Sequence, residues 1–149
     1  MADPRESQLQ GAVDRAERSG TDAQLANALD HLAQHLHGAG RLQEAAPVYG
    51  RALGLWRLIL GPEHPSVATL LVNLGGIYLD LGDLGGADPL LRQAITIFES
   101  DPDFDDEGVI DALDEFLAQL RTAGHADEAD LLEVRVRKIT MLVRATVRV

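Results

Sequence analysis

An alternating run of aspartates is the first feature of this chain that could do chemistry. Residues 101–108 read DPDFDDEG, and Asp101, Asp103 and Asp105 have the spacing of the first ligands of a calcium loop. A loop of the EF-hand type also needs Gly at its sixth position and Glu at its twelfth. Counted from Asp101, those positions hold Asp and Ala, so the pattern argues against a calcium loop.

A group of histidines is the second such feature. His31 and His35 lie four residues apart, a helical spacing that can bind zinc, and His37 follows closely. The HExxH pattern of zinc proteases is absent, and the sequence shows no third ligand. A metal-binding sensor that uses the histidines or the aspartates stays as one alternative, while the main prediction includes no metal and no cofactor.

Catalysis by a nucleophile has no support in the sequence. The chain has no cysteine, no serine stands in a G-x-S-x-G context, and no glycine-rich phosphate loop follows a strand pattern. We therefore predict that the protein is not an enzyme.

Length and charge narrow the classes of function further. The 149 residues suit one domain, and the formal net charge of −11 disfavours nucleic acid as a partner. No apolar run is long enough to span a membrane, and the polar N-terminus lacks the apolar core of a secretory signal. We expect a cytoplasmic protein with no membrane partner.

The elements that position these residues follow a period of 42 residues, which is the strongest signal in the sequence. Five sets of three similar residues share this spacing: Gly40, Gly82 and Gly124; Ala45, Ala87 and Ala129; Leu29, Leu71 and Leu113; Leu32, Leu74 and Phe116; Leu36, Tyr78 and Leu120. In this register DPDFDDEG falls on a linker between units, and its last six residues, 103–108, are equivalent to GPEHPS at 61–66. Its last carboxylates are then predicted to cap the next helix.

Each unit reads as two amphipathic helices joined by a turn at glycine. The predicted helices cover residues 4–18, 23–38, 42–59, 66–80, 84–99, 108–122 and 126–143. The predicted division is an N-terminal capping helix and linker at 1–22, then repeats at 23–65, 66–107 and 108–149, the last with a C-terminal extension. The predicted fold class is all-α, a right-handed α-solenoid of antiparallel helix pairs with about seven helices.

The pattern resembles the tetratricopeptide repeat (TPR). The second unit carries the signature positions of that family: Leu71, Leu74, Gly75, Tyr78, Gly82, Ala87, Leu91 and Ala94. The long period and the G-x-x-H-P linker before L-x-N-L resemble the variant of kinesin light chains and of many bacterial repeat proteins. Glu133 departs from the pattern, because an aromatic residue or Leu is expected there. HEAT and armadillo repeats are the alternative, although they lack this glycine-then-alanine spacing.

The resemblance implies a protein-interaction module or scaffold whose first helices line a concave groove for a peptide or partner protein. The groove positions are Asn27, Asp30, His31, Gln34, Thr69, Val72, Asn73, Gly76, Asp111, Asp114 and Glu115. Asn73 matches the groove asparagine of the family, whose amide can both donate and accept hydrogen bonds. The acidic first and third units favour a basic or mixed apolar partner.

The C-terminal segment gives the other alternative, a homo-oligomeric structural protein. Residues 134–149 are basic and rich in apolar residues, more so than a terminal capping helix needs. They could form a homodimer, or the basic segment could meet the acidic stretch 99–115. The β-branched residues after 143 leave helix and strand both open.

Overall fold

A computed structural model of the chain describes residues 3–101 and 106–147, the last six by their backbone alone. It separates into two compact units, Met1–Val67 and Ala68–Val149, and the division falls in the first turn of a helix.

Seven helices account for nearly all of the described residues, and no strand occurs among them. They are α1 (Pro4–Ser19), α2 (Asp22–Gly38), α3 (Leu42–Leu60), α4 (Pro65–Asp80), α5 (Leu84–Glu99), α6 (Glu107–Thr122) and α7 (Ala126–Val147). The prediction of an all-α fold built from helix pairs is confirmed. The strand alternative after residue 143 is wrong up to Val147, because α7 continues through that segment.

The turn inside each helix pair is the same three times, one period apart. Gly40, Gly82 and Gly124 have φ angles of 75°, 77° and 90°, a conformation that glycine adopts without steric cost. The residue after each glycine donates its N–H to the carbonyl five positions earlier, at 2.9, 2.8 and 2.9 Å. This bond is that of a Schellman turn, and it satisfies a carbonyl that the helix end would leave free.

Capping side chains begin four of the described helices, α1, α2, α5 and α6. Asp106 precedes α6, and its carboxylate accepts hydrogen bonds from the N–H groups of Gly108 (2.9 Å) and Val109 (3.3 Å). Thr21 begins α2 with a reciprocal capping box, in which Gln24 bonds back to the Thr21 N–H. The prediction that the end of DPDFDDEG caps a helix is confirmed at Asp106.

The core of unit 1 lies along α2, against which both α1 and α3 pack. Its buried side chains are Leu9 and Val13 from α1, Leu29, Leu32 and Leu36 from α2, and Ala45, Tyr49 and Ala52 from α3. Burial of each large side chain stabilises the fold by about 1.5–3 kcal/mol. The small alanines allow close approach of the helices.

The buried side chains of unit 2 include Leu71, Leu74, Ile77, Leu91, Phe98, Leu113, Phe116 and Val136. Ile77 and Phe98 stand one period after His35 and Trp56, which are only half-buried in unit 1. At Gly75 in α4 an added Cβ would lie 2.7 Å from the Leu91 side chain of α5, so this position requires glycine. The Glu133 departure is accommodated by ion pairs with Arg121 (2.9 Å) and Arg137 (3.1 Å). The aromatic residue is therefore replaced by an ionic contact between α6 and α7.

Candidate functional site

The candidate surface of unit 1 is the face of α2 that carries the four predicted positions. Asn27, His31 and Gln34 are exposed, and Asp30 is half-buried. These residues recur at helical spacing, so they form one continuous stripe on α2. Their backbone positions are fixed from below by the buried leucines of the same helix.

Asp30 is the most constrained member of this surface. Its Oδ2 accepts a hydrogen bond from Trp56 Nε1 of α3 at 2.9 Å, while Oδ1 is buried and has no hydrogen-bond partner among the described residues. Burial raises the pKa of Asp30, and the Trp56 hydrogen bond and the nearby His31 offset part of that rise. The carboxylate also acts on Tyr49, whose pKa burial and the Asp30 charge together raise to about 12.

In unit 2 the α4 positions form a less polar surface. Thr69, Asn73 and Gly76 are half-buried, and an added Cβ at Gly76 would meet nothing within 4 Å. Val72 is only 4% exposed. Its inclusion among the groove residues is therefore corrected, since an apolar side chain at this depth belongs to the core.

The α6 positions of unit 2 are acidic and open to solvent. Asp111, Asp114 and Glu115 are all exposed, and Glu115 accepts a hydrogen bond from Gln119 on the next turn at 3.2 Å. Three carboxylates on one turn and a half of helix create a local negative potential. This surface can attract a cation or a basic side chain.

The histidines have separate partners. His35 Nε2 lies 2.6 Å from the carboxylate of Asp3, the residue that caps α1, and the ring of His37 meets Tyr49 edge-on at 6.2 Å. His31 is exposed on the α2 stripe. Within residues 3–101 and 106–147, no three His, Asp or Glu side chains are grouped to hold a metal ion. Asp103 and Asp105 of the aspartate run lie outside the described residues.

The C-terminal segment 134–149 is helical as far as Val147. Its Arg135 makes hydrogen bonds to Glu99 and to Thr96 of α5, with a separation of 3.0 Å between Arg135 Nε and Glu99 Oε1. Arg135 of the basic segment thus pairs with Glu99, the first residue of the acidic stretch 99–115, inside unit 2. Further toward the C-terminus, Met141 is 69% exposed.

Trp56 is the residue of this site that sequence reasoning missed. It is the single tryptophan of the chain, and it follows the last alanine of the α3 stripe by one helical turn. Its equivalents one and two periods later are Phe98 and Thr140, so the repeat pattern does not mark it as a donor. A signal was nevertheless available, because Trp56 is a lone tryptophan on α3 and the indole N–H of a buried tryptophan usually finds a hydrogen-bond acceptor on a neighbouring helix.

Helix pairs that repeat with the same glycine turn define the class of α-helical repeat proteins. The sequence model of the family described as tetratricopeptide repeat matches residues 24–100. The chain therefore belongs to the tetratricopeptide repeat family. TPR repeats generally mediate protein–protein interactions.

Curated relatives match one part of the chain. Nephrocystin-3 of Xenopus laevis is 36% identical over 70 residues, and nephrocystin-3 of Mus musculus is 37% identical over 70 residues. Each match covers 47% of this chain and 5% of the relative, so the chain corresponds to a small part of those proteins.

Two solved structures share the fold over most of the chain. BtubC (BKLC) of P. vanneervenii has a TM-score of 0.77 at 19% identity, with 93% of this chain and 56% of that chain covered. A kinesin light chain of Podosopora anserina, described as having nearly identical TPR-like repeats, has a TM-score of 0.68 at 21% identity. That match covers 91% of this chain and 65% of the other. In the part of the chain that the structure describes, no helix is long and apolar enough to cross a membrane.

Proposed function

We propose that this protein is a non-enzymatic interaction module that binds a peptide or a protein segment through the exposed faces of its first helices. The family supports protein binding in general. The proposal that binding uses the faces of the first helices is supported by the α6 surface. Asp111, Asp114 and Glu115 are exposed together there, on a helix whose opposite face is buried in the core. A buried face gives the carboxylates a fixed backbone, so binding does not have to order the helix.

The chemistry of the two units suits a partner segment with basic and apolar side chains. On α2 the stripe combines the carboxylate of Asp30 with the amides of Asn27 and Gln34. On α4 the surface is less charged, and Asn73 offers an amide that can donate to and accept from an extended backbone. A Lys or Arg side chain would be attracted by the exposed carboxylates of α6, and small apolar groups would suit α4.

A selection from a random peptide library displayed on phage tests this proposal. The immobilised protein is expected to enrich peptides that contain Lys or Arg next to apolar residues. Enriched peptides are then synthesised, and their affinity is measured by fluorescence anisotropy at two salt concentrations. Binding should weaken as salt rises, because exposed charge pairs are screened.

Matched variants locate the surface. The triple variant Asp111→Asn, Asp114→Asn, Glu115→Gln is expected to lower affinity about tenfold, in line with three exposed charge contacts. A control variant removes three carboxylates away from these faces, the half-buried Asp14 and the exposed Asp22 and Glu63, by Asp14→Asn, Asp22→Asn and Glu63→Gln. If both variants weaken binding equally, only net charge matters and the proposed surface is wrong. If no peptide is enriched, the proposal of peptide binding fails.

A further inference from the structure

The described part of α7 carries an exposed apolar stripe. Leu131, Val134 and Met141 are 73%, 56% and 69% exposed, and Lys138 lies exposed among them. Their spacings of three, four and three residues place all four on one face of the helix. Large apolar side chains that are concentrated on a single helix face indicate a contact surface.

The repeat register shows what this face does one unit earlier. Val134 and Met141 are the equivalents, 42 residues on, of Arg92 and Glu99 in α5. Arg92 donates a hydrogen bond to Glu128 of α7 at 2.7 Å, and Glu99 accepts one from Arg135 of α7. On α5, then, these positions contact the second helix of the next repeat. On α7 the same positions are apolar, and within the described residues no later helix meets them.

The charges along the stripe identify the kind of helix that would fit. Asp127 lies on the same face one turn before Leu131, and Lys138 lies one turn after Val134. From Asp127 to Lys138 the order along the face is therefore acidic, apolar, apolar, basic, and Met141 follows beyond this symmetric part. Such a face is complementary to itself when two copies run in opposite directions, because a two-fold axis pairs each position with another.

We propose that α7 is a self-association surface that pairs antiparallel with α7 of a second copy of this chain. A two-fold axis between residues 132 and 133 sets Leu131 against Val134 of the second copy, and Asp127 against its Lys138. Parallel pairing in register would instead place Asp127 beside Asp127 and Lys138 beside Lys138, which is repulsive. An unrelated helix would not need this symmetric arrangement of charges, so the stripe fits a second copy best.

The expected dimer is weak, and its chemistry is independent of peptide binding. One pair of helices buries an area near or below the low end of specific interfaces, about 1,200 Å² in total. The dimer should therefore form at micromolar or higher protein concentration and dissociate on dilution. None of its residues belongs to the surfaces on α2, α4 and α6, so either proposal can fail without the other.

A charge-swap experiment tests the pairing. Sedimentation velocity is measured over a hundredfold range of concentration for wild type, Asp127→Lys, Lys138→Asp and the double variant. Each single variant places two like-charged pairs across the axis and is expected to raise the dimer dissociation constant about tenfold. The double variant should recover wild-type association. A mixture of the two single variants should form a heterodimer better than either forms a homodimer.

Controls keep the result interpretable. Both positions are exposed, so circular dichroism should show the same helix content and a similar melting temperature for all four proteins. Asp22→Lys changes charge by the same amount at an exposed site of unit 1 and should leave association unchanged. A monomeric wild type at the highest concentration overturns the proposal. A double variant that remains dissociated also overturns it, because the antiparallel pairing would then be wrong.

Discussion

Asp30 of unit 1 and Asp114 of unit 2 occupy the same position of the repeat, two periods apart, yet they have different environments. Asp30 is half-buried and bonded to Trp56, whereas Asp114 is exposed. The residue at the register position of Trp56 in the third repeat is Thr140, whose hydroxyl donates instead to the Val136 carbonyl at 2.9 Å. The second helix thus determines whether a first-helix carboxylate is held in place or left in solvent.

In the middle repeat, the positions equivalent to Asp30 and Trp56 both hold apolar residues. Val72 stands at the position of Asp30 and Phe98 at the position of Trp56, and they are 4% and 1% exposed. The two positions therefore hold Asp30 and Trp56 in the first repeat, and Val72 and Phe98 in the second. In the third repeat they hold Asp114 and Thr140. The repeated backbone supplies the location, and the side-chain combination determines whether the first-helix position becomes a surface.

The largest effect is expected where the pair of positions is apolar. Phe98→Ala should lower the free energy of unfolding by about 3–5 kcal/mol, because it deletes a fully buried ring and leaves a cavity. Urea unfolding followed by circular dichroism measures the change. Thr140→Ala at the equivalent position of the third repeat should cost about 0.5 kcal/mol or less, since the hydroxyl bonds only its own helix. Comparable losses in both variants would show that burial at this position does not distinguish the repeats.

An intermediate effect is expected where the pair is a carboxylate and an indole. Trp56→Phe keeps an aromatic ring but removes the hydrogen-bond donor to Asp30. The carboxylate then has no partner for either oxygen, which should cost about 1–3 kcal/mol. The same urea measurement reports this loss.

A double-mutant cycle separates the hydrogen bond from the change in ring size. In the Asp30→Asn background, Trp56→Phe should cost less than in wild type, with a coupling of at least about 0.5 kcal/mol. If the cost of Trp56→Phe is the same in both backgrounds, the hydrogen bond contributes nothing to stability. Only the ring would then matter.

Local features of the repeat were predictable from sequence because each depends on few residues. Gly40, Gly82 and Gly124 mark turns that require a positive φ, and Asp106 caps α6 through its own side chain. The helix bounds agree with prediction within a few residues, apart from the end of α7. These outcomes depend on chain neighbours, so periodicity and capping rules predicted them.

Side-chain depth was harder to predict because it depends on partners from another helix. Val72 was assigned to the groove from its register alone, yet the structure buries it. Trp56 was overlooked because its equivalents are Phe98 and Thr140, so no repeated donor marks the position. The ion pairs of Arg92 and Arg135 that join α5 to α7 were also not specified, since they require the spacing between second helices of successive repeats.

The smallest expected effect is a pH dependence of stability that arises from Asp30. Because burial raises the pKa of Asp30 in the folded chain, the folded state binds a proton more tightly there than the unfolded chain does. Between the ordinary carboxyl pKa of about 3.9 and the raised value, stability contributed by Asp30 therefore falls as pH rises. On acidification through this window, wild type should gain stability relative to Asp30→Asn. Asp114→Asn removes a carboxylate at the equivalent position and corrects for the general loss of negative charge.

The fluorescence of Trp56, the single tryptophan, should titrate with Asp30 over the same window and stay constant in Asp30→Asn. A wild type that loses stability relative to Asp30→Asn on acidification would mean that the Trp56 hydrogen bond outweighs burial at Asp30.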